Sequence, residues 1–386
     1  MNPSFEFTTA GRIIFGFGRL REIGQLSKQF GSRALIVPGR DRDRAKPLVE
    51  SLRDAGVEAH FFSVAGEPEV AAITEGAAKA RAAGCEMVIG FGGGSAIDAG
   101  KAIAAMVTNQ GDLFDFLEVI GRGKALERPG APFIAIPTTA GTGSEVTRNA
   151  VLASPKHRVK VSLRSPLMIA RIAMVDPELT LGLPPAVTAS TGLDALTQLI
   201  EPYVCARPNP MTDALCLEGI PRVARSLRTV FGEGNNRSAR EDMSVASLFG
   251  GLALANAGLG AVHGFAGPIG GMFSAPHGLV CAALLPHVME VNLRALRERA
   301  ANSETPLRYQ RVARLLTGDS AASADEGVMW VAQMVRDLKI PKLRAYGIAS
   351  GSIHEVVDKS AKASSMKANP IVLTRRELIE IVERAL

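Results

Sequence analysis

The 386-residue chain is poor in flat aromatic residues, with one Trp and three Tyr. Proteins that hold single-stranded nucleic acid stack bases on such side chains. The formal net charge of +6 is spread along the chain. The one tight charge group, residues 40–44, alternates in sign. No nucleic-acid partner is expected, and mild basicity better suits a small anionic ligand. Cysteine is also scarce. Cys85, Cys205, Cys216 and Cys281 show no C-x-x-C spacing, which argues against a zinc ribbon or a disulfide framework. The N-terminus has no basic stretch followed by an apolar run, so no secretory signal is expected. No segment offers about 20 apolar residues free of Gly and Pro, so no transmembrane helix and no membrane partner are expected. A reducing cytoplasm is the expected compartment.

Hydrophobic residues make up 47% and charged residues 21%, which is ordinary globular composition and sufficient for large buried cores. The first half alternates short apolar runs with helical ones. Strands are expected at 34–37, 60–64, 87–92, 133–139 and 168–176, and helices at 44–55, 71–83 and 95–107. That alternation predicts a parallel sheet covered on both faces. The runs AVLAS and VKVSL after Thr139 predict an extra hairpin, and a further N-terminal hairpin is expected around Phe5–Phe15. At Leu183-Pro184-Pro185 the pattern becomes helical to the end. The fold class is therefore α/β plus all-α. A parallel-sheet nucleotide-binding domain (1–184) is followed by an all-helical metal and substrate domain (185–386).

Gly92, Gly93, Gly94 and Ser95 follow an apolar strand and open a helix. Glycines let backbone approach a pyrophosphate, and the helix start offers unpaired N–H groups and a positive dipole end. Ser95 and Asp98 resemble a capping box. The cluster is neither G-x-G-x-x-G nor a P-loop, and taken alone it could be only a tight turn. A second strand end, Pro137 to Glu145, carries four hydroxyl residues and two glycines. Two such loops at the ends of parallel strands point to a nucleotide there. Farther on, Asp194 and Gln198 share a helix face by their i, i+4 spacing. His263 and His277 lie fourteen residues apart, each followed by Gly. One carboxylate and two imidazoles suit a divalent transition metal. His60, His157 and His354 are expected to be packed or surface side chains, and His287 a helix-start residue near the core.

Together these segments resemble the iron-containing, group III alcohol dehydrogenase family. They are 92–104 (GGGSAIDAGKAIA), 137–147 (PTTAGTGSEVT), 176–180 (DPELT), 191–204 (TGLDALTQLIEPYV), 262–278 (VHGFAGPIGGMFSAPHG) and Asn369-Pro370. The resemblance covers nearly the whole chain, in the family's order. It implies a dehydroquinate-synthase-like fold and hydride transfer between an alcohol and an aldehyde or ketone. NAD or NADP and a divalent metal (Fe2+, with Zn2+ as the alternative) would lie in a cleft between the two domains. It further implies that Gly92, Gly93, Gly94, Ser95 and Asp98 form the pyrophosphate turn. Thr138, Thr139 and Thr142 would form the nicotinamide–ribose loop, Lys160 would lie near the ribose, and Leu179 and Leu183 would border the same pocket. Asp194, His263 and His277 would be metal ligands and, through the metal, the catalytic residues, with Gln198 facing the same ion as a further metal-site residue. A homodimer or higher homo-oligomer is implied, with the Phe5–Phe15 edge as its expected interface.

This chain departs from the family pattern at three places. Gln198 stands where a ligand histidine is usual, and a neutral amide oxygen binds a transition metal more weakly than imidazole. Gly267 stands where a proton-relaying histidine is usual. Gly39, followed by Arg40, stands where an acid often bonds the adenosine ribose, and its loss permits a 2′-phosphate. A weakened metal site would also suit a maleylacetate-reductase-like enzyme acting on oxo acids or enones with little or no metal dependence. A dehydroquinate-synthase-type lyase would need a dense set of Lys, Arg and His that 194–277 lacks. Asp194, His263 and His277 speak against a nucleotide-binding protein with degraded catalysis.

Overall fold

The computed structural model describes residues 4–64 and 66–386. The chain divides into two compact units. The first comprises Thr9–Thr139 and Gly143–Leu181. The second comprises Gly182–Leu386 with Ala140–Thr142 and the N-terminal stretch through Thr8.

In the first unit, β1 (Ile13–Phe15), β2 (Arg33–Pro38), β3 (Glu58–Phe61), β4 (Met87–Gly92), β5 (Phe133–Pro137) and β8 (Ile172–Val175) form one sheet. β6 (Asn149–Ser154) and β7 (Val159–Arg164) form a separate antiparallel pair. The sheet runs β1-β8-β5-β4-β2-β3, every pairing parallel. Residues of β4, β5 and β8 are buried throughout, as expected for strands covered on both faces. In β6, buried Ala150, Leu152 and Ser154 alternate with half-buried residues, the period-2 pattern of a strand with one covered face. Helices α1 (Ile23–Lys28), α2 (Lys46–Asp54), α3 (Val70–Ala82) and α4 (Gly94–Thr108) join the strands.

β2 leads outward to β3, whereas β4, on the other side of β2, leads to β5 in the opposite direction. The ends of β2 and β4 therefore form the topological switch point, where open α/β sheets bind ligands. Gly39 and Gly92 stand there. The Gly39 N–H donates to the Phe91 carbonyl at 3.0 Å. A Cβ on Gly92 would lie 2.7 Å from the Ala96 Cβ and 3.0 Å from the Gly39 nitrogen, so only glycine fits.

Four expectations need correction. Phe5–Phe15 is not a hairpin. Only Ile13–Phe15 is a strand, pairing parallel with β8 as the Gly11 N–H donates to Ala170 O at 3.0 Å. Ser95 and Asp98 form no capping box. Gly93 is the N-cap without a side-chain bond, and the Asp98 carboxylate instead accepts from the Ser144 hydroxyl and from the Val151 N–H at 2.9 Å. His287 lies in mid-helix, inside α9 (His277–Arg299). By length and composition α9 passes for a membrane span, yet 78% of its most apolar window is buried within the protein. Strand ends also shift: β3 begins two residues before His60, and a 3-10 turn at Pro166–Met168 delays β8 to Ile172.

The second unit is helical: α5 (Pro185–Val204), α6 (Pro210–Gly232), α7 (Arg237–Asn256), α8 (Ala261–Met272), α9, α10 (Thr305–Thr317), α11 (Ala324–Asp337), α12 (Ile353–Ser360) and α13 (Arg375–Ala385). One apolar cluster joins these helices, with Leu196, Ile220, Phe265, Leu284 and Val331 among its fully buried members.

Beneath the threonine-rich loop, a buried polar cluster ties α4 to residues 144–151. The Lys101 ammonium donates to Ser144 O and Asn149 O, both at 2.7 Å, and to the Thr147 hydroxyl at 3.0 Å. Burial lowers the pKa of Lys101 and raises that of Asp98, which lies 3.7 Å away. Burial also pushes Glu145 up to about 7 from 4.5. A carboxyl that holds its proton more tightly folded than unfolded adds stability that is full below about pH 4.5 and lost as pH rises through about 7. The shift corresponds to about 3 kcal/mol. Denaturant unfolding at about pH 5 and about pH 8 is expected to show that loss in the wild type. In Glu145→Gln, which cannot ionise, this part of the pH dependence is expected to disappear.

Candidate metal centre

Asp194, Gln198 and Glu201 occupy one face of α5 at i, i+4 and i+7, all buried. Opposite them α8 begins at Ala261. The first N–H groups of a helix have no partner within it. Here the Val262 N–H donates to Glu201 Oε1 at 2.7 Å, and the Ala261 N–H to Asn369 Oδ1 at 3.0 Å. A Cβ at Gly260 would lie 2.7 Å from Glu201 Oε1, so glycine lets the carboxylate reach the helix start. Asn369 is held in turn by Asn292, whose amide hydrogen-bonds Tyr309.

The second oxygen of Glu201 accepts from His263 Nδ1 at 2.7 Å. A proton on Nδ1 leaves the lone pair on Nε2, which lies 3.5 Å from Asp194 Oδ1. His277 opens α9, with its Nε2 3.7 Å from the same Asp194 oxygen, and the two imidazole centroids are 5.4 Å apart. The glycine after each histidine allows this approach. A Cβ on Gly278 would lie 2.5 Å from the Ser190 carbonyl oxygen, and one on Gly264 would lie 2.8 Å from the end of Met366. Cys281, one turn beyond His277, places Sγ 3.6 Å from His277 Nε2. One ligand atom from each of Asp194, His263, His277 and Cys281 lies within 4.8 Å of every other.

Asp194 Oδ1, His263 Nε2 and Gln198 Oε1 are buried and have no hydrogen-bond partner. Burying such atoms unpaired is costly, and a cation between Asp194 Oδ1 and His263 Nε2, 3.5 Å apart, would satisfy those two. The donor set therefore fits a divalent metal. In the absence of an ion these groups hold one another's protons. Burial would raise the Asp194 pKa, but His263, His277 and the Gln198 amide together bring it below the usual value. Burial would lower that of His263, yet Cys281, Asp194 and Glu201 lift it well above normal. For the Cys281 thiol the burial effect is upward, and the two imidazoles reverse it.

The sequence-predicted nucleotide residues divide between the units. Gly39, Gly92, Gly93, Gly94 and Ser95 meet at the ends of β2 and β4. Thr138 joins them through its N–H to Gly92 O at 2.8 Å, and Thr139 would touch a Cβ on Gly93 at 3.4 Å. Asp98 faces the buried cluster below α4. Lys160, on β7, pairs with Glu67 at 2.8 Å. Leu179 packs on the sheet core and its carbonyl accepts from Arg44 at 2.5 Å. Thr142 and Leu183 belong to the helical unit, where the Leu183 carbonyl accepts from Arg240 at 3.4 Å. Sequence reasoning missed Cys281 and gave Glu201 no role. The His-x3-Cys spacing at 277–281 was the signal for the first.

The model of iron-containing alcohol dehydrogenases matches residues 10–177, and that of the Fe-containing family's C-terminal region matches 188–386. The chain belongs to the iron-containing alcohol dehydrogenase family. It is an alcohol dehydrogenase with the family's parallel-sheet and helical parts. Its relatives include a 1,3-propanediol dehydrogenase of Klebsiella pneumoniae, 33% identical over 99% of this chain and 98% of the relative. Alcohol dehydrogenase 4 of Saccharomyces cerevisiae is 34% identical over 96% of each chain. A crystal structure of a 1,3-propanediol oxidoreductase superimposes with a TM-score of 0.92 at 32% identity over 100% of both chains. The structure of a sulfoacetaldehyde reductase of Bifidobacterium kashiwanohense in complex with NAD+ gives 0.86 at 28% identity, over 99% of this chain and 98% of that one.

Glu201 orients His263 without being a ligand, and partners of this kind are typically worth 10–100-fold, roughly, in metal affinity. Glu201→Gln is expected to weaken divalent-metal binding by about that factor in a chelator competition titration. The unfolding midpoint of the metal-free protein should fall far less.

Proposed function

We propose that the chain is an NAD(P)-dependent alcohol dehydrogenase whose divalent metal is held by Asp194, His263 and His277. The observation that carries this reading is the convergence of buried, unpartnered acceptor atoms from α5 and α8 beside the first residue of α9. A divalent ion supplies Lewis acidity to a substrate oxygen whose carbon exchanges hydride with nicotinamide. The chain's own residues do the positioning. Glu201 keeps the proton of His263 on Nδ1, and Gly278 sets the start of α9 against α5. Gly267, one turn after His263, has open space around it and offers no titratable group. A proton leaving the substrate would therefore pass to water rather than to a side chain at 267.

For the nucleotide, the start of α4 and Gly92–Gly94 would take the pyrophosphate through backbone N–H groups, with Ser95, Thr138 and Thr139 beside them. The segment after β2 has no acid at Gly39 but carries Arg40, Arg42 and Arg44, with Arg42 stacked 3.8 Å over Phe61. That charge supports use of NADPH as well as NADH. The substrate class is a small alcohol with its aldehyde or ketone. Residues up to 184 would serve the nucleotide, and those beyond, the metal and substrate. The edge of β1 is our site for a homodimer contact, although the strand is only three residues long.

Aldehydes, ketones and oxo acids assayed with NADH and NADPH should show carbonyl reduction with both cofactors. A preference for NADH of about a thousandfold in kcat/KM, or about 4 kcal/mol, counts against the 2′-phosphate reading. Gly94→Val should weaken cofactor binding strongly, read by nicotinamide fluorescence. Gln198→His is expected to raise metal retention on purification. Full activity after exhaustive chelation would transfer the assignment to a metal-independent oxo-acid or enone reductase.

A further inference from the structure

The family pattern leaves this chain one imidazole short at position 198, yet the centre holds a fourth donor. We propose that Cys281 is a thiolate ligand of the ion held by Asp194, His263 and His277, so that the site takes a zinc-type divalent cation. The proposal rests on the metal reading above and adds a ligand to it.

Geometry supports it first. Bonds of about 2.0–2.2 Å to nitrogen or oxygen and about 2.3 Å to sulfur put neighbouring donors of a tetrahedron about 3.3–3.8 Å apart. Three separations fall in that range, 3.5 Å from Asp194 to His263, 3.7 Å from Asp194 to His277 and 3.6 Å from Cys281 to His277, and every pair of the four lies within 4.8 Å. His277 and Cys281 lie one turn apart on α9, so a single helix face presents both.

The ordinary fate of a buried cysteine is to pack as a small apolar side chain. Cys281 is fully buried, but its sulfur faces nitrogen and carboxylate oxygen atoms. Gln198 does not compete for the place. Its Oε1 lies beside α7, 3.5 Å from where a Cβ on Gly250 would stand. A thiolate among imidazole and carboxylate donors favours zinc over harder ions.

The test uses full-length protein stripped of metal and loaded with Co2+, whose spectrum reports sulfur ligation. The wild type should bind one ion per chain and show a sulfur-to-cobalt charge-transfer band in the near ultraviolet. Cys281→Ser should lose that band and bind at least about tenfold more weakly, while Cys205→Ser and Cys216→Ser keep it. Cobalt bound without the band, or a band surviving Cys281→Ser, overturns the thiolate ligand and leaves the metal reading standing. No cobalt binding overturns both. Should Cys281→Ser fail to fold, X-ray absorption of the zinc-loaded wild type decides the matter. A sulfur scatterer at about 2.3 Å is expected, and a shell of nitrogen and oxygen alone refutes the proposal.

Discussion

The carboxylate of Glu201 joins two problems that the helical unit must solve together. The start of α8 is buried and needs acceptors for its first N–H groups. His263, two residues into that helix, must present Nε2 as a lone pair. One oxygen of Glu201 answers the first need and the other answers the second, each at 2.7 Å. The glycine at 260 makes the approach feasible, and Asn369 completes the cap. Position and tautomer of the imidazole are thus fixed by the same side chain that secures the helix, so histidine orientation is tied to the integrity of the fold.

Much of this organisation was legible in the sequence, because it rests on short-range signals. Uninterrupted apolar runs marked the buried parallel strands, and Gly92–Ser95 marked the turn at the switch point. Spacing placed Asp194 and Gln198 on one helix face. The partners of His263 and His277 were harder to see, since they come from distant parts of the chain. Glu201 is 62 residues from His263, and Asn369 is 108 residues from Ala261. Cys281 was hidden for another reason. The His-x3-Cys spacing at 277–281 sets the two side chains on one helix face, but only the positions of α5 and α8 reveal what the sulfur faces. The expected N-terminal hairpin does not form because Ile13–Phe15 pair directly and in parallel with β8, a strand more than 150 residues away.

The substitutions that set this chain apart from its family pattern have different local consequences. Gln198 keeps its place on α5, buried beside Gly250 of α7, so losing the imidazole does not empty the position. Gly267 does empty its own, leaving room one turn beyond His263. Gly39 sits at the end of β2, where its nitrogen hydrogen-bonds β4 and its lack of a side chain removes a charge without disturbing the sheet.

All the residues converging on the metal centre lie between 194 and 369, inside the helical unit, whereas the glycine turn and the strand ends lie inside the other unit. Each set is built from contacts internal to its own unit. Inherited changes in metal preference and in cofactor preference can therefore accumulate separately. A recombination near residue 182 would move the metal-centre residues as a block, while Ala140–Thr142 and the stretch through Thr8, which pack in the helical unit, would come from the other parent.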